Sequence, residues 1–92
     1  MKGLVIIGDY FEDTELIATI DVLKRNDDTI ILASALDRKE LTSKCGIKMY
    51  SDVLLNEVNY KEFDFLFIPG GPGAFKILNK IQKVDEVISY FV

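Results

Sequence analysis

Three short apolar runs punctuate the chain, and the positions between them alternate at helical spacing. Residues 4–7 read Leu-Val-Ile-Ile and end at Gly8; residues 29–33 read Thr-Ile-Ile-Leu-Ala; residues 63–68 read Phe-Asp-Phe-Leu-Phe-Ile and end at Pro69-Gly70-Gly71. All are rich in β-branched or aromatic residues and bounded by turn formers. Two are apolar almost throughout, the pattern of strands covered on both faces in a parallel sheet flanked by helices. Between the first two, Leu16, Ile17, Ile20 and Leu23 recur at helical spacing within Glu12–Asn26. Acidic residues open this stretch and Lys24-Arg25 closes it, matching the helix dipole, and Asn26 is the expected left-handed cap. Strand, helix and strand form a βαβ unit, expected to be right-handed.

Residues 36–50 are mixed in polarity. Arg38–Thr42 and Ile47–Tyr50, separated by a turn at Gly46, predict an edge hairpin. Asp52–Val58 predicts a short helical turn around Leu54, Leu55 and Val58. After the Gly-rich segment, Ala74–Lys80 and Lys83–Val92 predict two helices with a break near Gln82, the second with an apolar face of Val84, Val87, Ile88 and Phe91. In an α/β fold such a helix feeds another parallel strand, so the alternation is expected to break off and residues 1–92 to form one partial domain.

Composition narrows the class. The 92 residues are 49% apolar, with 11 Lys or Arg, 15 Asp or Glu, no His and a net charge of −4. This is too apolar for a disordered chain. No apolar run approaches the roughly 20 residues of a membrane-spanning helix, and the first residues, without a charged start joined to an apolar stretch of roughly 7–15 residues, are not expected to act as a secretory leader. Acidic balance without a basic stripe argues against nucleic-acid binding. One cysteine makes no internal disulfide, and without a Cys/His cluster no metal or cofactor is expected. The expectation is a cytoplasmic domain that binds neither nucleic acid nor membrane.

In an open parallel sheet, ligands bind beyond the carboxyl ends of the strands. Two segments lie there. The glycines of Pro69-Gly70-Gly71-Pro72-Gly73 allow a nest of N–H groups for an anion or oxyanion; the plainer reading is a tight strand-to-helix turn. Gly8 to Glu15 carries Asp9, Glu12, Asp13 and Glu15. These read first as solvated helix-start charges. Glu15, at the edge of the apolar face, is expected to turn partly inward, with a raised pKa and a shared proton. Tyr10 and Phe11 read as packing residues. Cys45 stands beside Lys44 on the hairpin with little to stabilise a thiolate. Without histidine no Cys-His or Ser-His dyad forms.

The apolar strand leading to Glu12-Asp13-Thr14-Glu15-Leu16, then Asp21-Val22-Leu23-Lys24-Arg25, Gly46, Asp52 and Phe63 through Pro69-Gly70-Gly71, resembles the N-terminal half of the ThiJ/PfpI superfamily. That group includes the Parkinson-associated protein deglycase and the PfpI-type intracellular proteases. The resemblance covers essentially the whole chain; the Glu-x-x-Glu helix start with the Pro-Gly-Gly strand end is its specific part. It implies a flavodoxin-like three-layer α/β sandwich, class I glutamine amidotransferase-like, with a mostly parallel sheet. It implies a reactive cysteine on a nucleophile elbow, hydrogen-bonded by a glutamate that matches Glu15. It implies an oxyanion hole to which the Gly71 N–H contributes, with Gly70 shaping the turn. Dimers and deglycase, glyoxalase, protease-like or chaperone activities go with the family. The sequence departs from the pattern at Asn26, where glycine is usual. The elbow would follow the next strand, about ten residues beyond Val92, and Cys45 does not match it. The expectation is therefore a truncated domain, inactive alone, that pairs with itself or with a chain carrying the C-terminal half. The alternative is a small non-catalytic binding or dimerisation module. A phosphorylation receiver would need an aspartate where Ile68-Pro69 stands.

Overall fold

The computed structural model describes residues 1–92. β1 (Lys2–Ile7) lies inside a four-stranded parallel sheet, between β2 (Thr29–Ser34) and β6 (Phe65–Phe67), with β5 (Val53–Leu54) beyond β2. Leu4 and Ile6 point to one face and Val5 and Ile7 to the other, and all four are wholly buried. Pleat alternation alone then builds two cores from one strand. On the first face Leu4, Ile6 and Ala33 pack with Leu55, Phe63, Leu78, Val84 and Val87. This brings in α2 (Pro72–Leu78) and α3 (Gln82–Phe91). On the second, Val5, Ile7 and Ile30 pack with Phe11, Leu16 of α1 (Asp13–Arg25) and Leu41 of the hairpin β3 (Glu40–Thr42) and β4 (Lys48–Tyr50). The result is the three-layer α/β arrangement expected from the near-continuous apolar runs.

Several local expectations are corrected. The hairpin is antiparallel as anticipated but forms a separate two-stranded sheet. The edges of the main sheet are β5 and β6. Asp52–Val58 begins with a strand, because β5 pairs with β2 at Ala33 and Ser34; only Leu55–Glu57 makes a helical turn, of 3₁₀ type. Asn26 is not left-handed (φ −89°); Asp27 takes that conformation, with φ 62°. α2 starts at Pro72, whose fixed φ and missing N–H suit a first helical turn. Ile17, at helical spacing with the core positions, is 63% exposed. Its place on α1 lies just outside the stripe that Leu16 buries.

One glycine is dictated by packing that sequence spacing does not show. The Phe65 ring lies directly over Gly3, leaving no room for a Cβ there. The bare backbone at Gly3 thus lets the ring of Phe65, from the neighbouring edge strand, lie flat across β1.

Candidate functional site

The carboxyl ends of β1 and β6 open onto the same end of the sheet, and the two segments singled out in the sequence meet there. Glu15, in the first turn of α1, accepts a hydrogen bond from the Gly70 N–H at 3.1 Å. From the other side, Glu12 N–H donates to the Gly70 carbonyl at 3.0 Å. Gly70 is therefore held through both its polar backbone atoms by α1 and its approach. A Cβ at this position would sit 3.0 Å from Oε1 and 3.1 Å from Oε2 of Glu15. The carboxylate occupies the space a side chain would need.

Gly71 adopts φ 118°, ψ 128°, outside the range of L side chains, and caps α2. A Cβ would meet the Tyr10 carbonyl oxygen at 3.1 Å. Both conformation and space thus demand glycine. The Gly71 carbonyl accepts from Phe75 N–H at 2.9 Å, whereas its N–H has no acceptor within the chain. Beside it, between the end of β6, α2 and α3, lies a cleft of about 230 Å³ lined by Ile68, Gly71, Phe75, Leu78, Val84 and Ile88, with Asp85 at its margin. The arrangement joins an anionic acceptor, a free backbone donor and a mainly apolar wall. The Gly71 N–H is thereby placed to stabilise negative charge, with the Glu15 carboxyl held one residue away on Gly70.

Glu15 is exposed rather than partly buried, correcting the expected inward turn. It reaches Gly70 by leaning across the open end of the sheet. Phe11 is buried at 3% and packs as expected. Tyr10 does not: it is 53% exposed and takes φ 67°.

The remaining carboxylates are tied down. Asp9 accepts from Arg38 Nη2 at 2.6 Å and from Thr42 N–H at 3.0 Å, and the Arg38 guanidinium holds its carboxyl below the ordinary range. Glu12 pairs with Lys44 at 3.2 Å. Asp13 accepts from the Cys45 N–H at 3.1 Å, and hydrogen bonding from Ser43 holds its carboxyl low. The same aspartate pushes the exposed Cys45 thiol up, away from thiolate. Cys45 lies in the hairpin turn against the start of α1, with Asp13 rather than a cation as its governing neighbour. No three of the Cys, Asp and Glu side chains are grouped to hold a metal ion, and no helix is long and apolar enough to cross a membrane.

What sequence reasoning missed here is the network joining the hairpin to the loop after β1. Asp9 was legible only as one carboxylate among four. Its partners Arg38 and Thr42 are about thirty residues away, and only the fold brings them together.

A parallel sheet sandwiched by helices, with a glycine turn and a glutamate at its carboxyl end, defines a flavodoxin-like α/β protein. The DJ-1/PfpI family profile matches residues 1–92, and the chain belongs to that family. Protein DJ-1 homolog B of Arabidopsis thaliana is 36% identical over 90 residues, covering 90% of this chain and 20% of its own length. A deglycase of Pyrococcus abyssi is 39% identical over 85 residues, covering 92% of this chain and 51% of its own. Among solved structures, a cysteine-to-alanine mutant of a DJ-1 superfamily protein from Salmonella typhimurium superposes with TM-score 0.91 at 26% identity, over 98% of this chain and 49% of that one. Oxidized Toxoplasma gondii DJ-1 gives TM-score 0.90 at 24% identity, over 97% and 48%, and so shares the fold. The chain thus spans between a fifth and about half of the length of these relatives.

Proposed function

We propose that these 92 residues supply one half of a cysteine-dependent DJ-1/PfpI site of the deglycase, glyoxalase or protease-like type. In this reading Glu15 shares a proton with a thiol, and the Gly71 N–H receives the oxyanion of a carbonyl substrate. The thiol belongs to a segment pairing with the free edge of β6, carried by a complementing chain or by further sequence. The observation that carries the reading is the Glu15–Gly70 hydrogen bond beside an unpaired Gly71 N–H. Relatives named deglycases, and a Caenorhabditis elegans glutathione-independent glyoxalase 38% identical over 66 residues, support the reaction class. Cys45, held protonated by Asp13, does not serve as nucleophile. The purified 92-residue chain should show no glyoxalase turnover above background. Mixing it with a polypeptide carrying the missing half of a relative should restore turnover, and Glu15→Gln should abolish what is restored. Turnover by the chain alone that Cys45→Ser removes would overturn the proposal.

A second reading, a non-catalytic dimerisation module, draws on the same open edge. Phe75 is 67% exposed at the cleft mouth, and the three apolar residues of β6 are half-buried at a sheet margin. Self-association through that edge would appear as a concentration-dependent mass in sedimentation; a monomer at every concentration would eliminate it.

A further inference from the structure

Tyr10 is the one residue near the site whose conformation works against its own chemistry. It takes φ 67°, where an aromatic side chain is strained, and its ring is half in solvent and adds nothing to either core. Such a conformation persists only where its surroundings over-determine it. Those surroundings are visible on both sides. Tyr10 N–H donates to the Thr42 carbonyl at 2.7 Å, and the Asp9 carboxylate accepts the Thr42 N–H at 3.0 Å. Arg38 bridges the same carboxylate to the Glu40 carbonyl. Residues 9 and 10 are thus stitched to β3. Beyond Tyr10 the chain reverses: Phe11 enters the core and Glu12 N–H reaches the Gly70 carbonyl. The Tyr10 carbonyl lies where a Cβ on Gly71 would go, and its Cβ is 3.0 Å from the corresponding point on Gly73. The left-handed residue is therefore the hinge between the hairpin and the glycine turn.

We propose that Asp9 and Arg38 are positioning residues for the Gly70–Gly71 turn. By clamping β3 onto the loop after β1, they force Tyr10 into its left-handed conformation. Tyr10 in turn sets the spacing between Glu15, Gly70 and the free Gly71 N–H. The functional meaning of the clamp rests on the site proposed above; its mechanical action does not.

Amide exchange and chemical shifts of the 92-residue chain test the clamp without any assay of activity, so its failure and that of the catalytic reading are distinguishable. In Arg38→Met the Tyr10, Glu12 and Gly70 amides should exchange roughly tenfold faster and the Gly71 amide should shift, while Val5 and Ile6 change less than twofold. Arg38→Lys should recover part of the protection. Tyr10→Gly removes the need for force, so adding Arg38→Met to it should no longer speed Glu12 and Gly70. Should Arg38→Met leave too little folded protein, Arg38→Lys alone and in the Tyr10→Gly background carry the same comparison. Acceleration equal at Glu12 and Val5 would mean a purely structural pair and overturn the proposal. Unchanged Glu12 and Gly70 amides, or an equal effect in the Tyr10→Gly background, would overturn it as well.

Discussion

β1 and β6 are neighbours of similar apolar character, yet they fare differently. Residues 3–7 of β1 are all buried, whereas each residue of β6 is only half-buried. β1 has a strand on each side and a helical layer on each face; β6 has one strand neighbour and an open margin. Burial here follows from how many neighbours the fold supplies, with composition setting only which residues tolerate them. A second contrast lies across the sheet. The α1 side is laced by polar links from the hairpin, through Asp9–Arg38, Glu12–Lys44 and Asp13 to the Cys45 N–H. The α2–α3 side rests on apolar packing around the cleft.

The largest expected effect separates the two strands. Ile6→Ala should cost about 3 kcal/mol in urea unfolding, the range for emptying a closed core site, whereas Leu66→Ala should cost about 1 kcal/mol because its side chain is already part-solvated. Equal costs would show that the β6 margin is covered in solution. Next, Gly71→Ala places a side chain at φ 118° against the Tyr10 carbonyl and should cost about 2 kcal/mol. Its chemical-shift changes should centre on residues 10–15 and 70–74, and changes spread evenly over the sheet would contradict the local strain.

The smallest effect concerns acid. Asp9 and Asp13 both titrate below the ordinary aspartate value, so folding binds fewer protons than unfolding at these positions. Their contribution is complete above about pH 4 and is lost as the pH falls further through the folded values. The hairpin side should loosen first, with Thr42 and Cys45 amides losing protection before Val84 and Val87. Asp9→Asn should flatten the dependence at Thr42; a pH profile unchanged by that substitution would break the contrast.

Strand and helix identities were legible because the apolar runs are near-continuous in β1 and β2 and periodic in α1 and α3. The glutamate and glycine turn were legible as a pair through the family pattern. β5 was not, because two residues carry no period and become a strand only by pairing with Ala33 and Ser34. Nor was the exposure of Glu15, which depends on what covers the end of the sheet, or the left-handed Tyr10, a residue type that gives no local signal for that conformation.

Local pattern alone marked the apolar runs of β1 and β2, the helical periods of α1 and α3 and the glycines that follow β6. It did so because pleat and helix periods are local properties of the chain. Only the tertiary structure decided that Asp9 meets Arg38, that Phe65 needs Gly3 bare, and that Glu15 binds Gly70 while leaving the Gly71 N–H free. These are contacts between residues 29, 62 and 55 positions apart, and no local propensity specifies them.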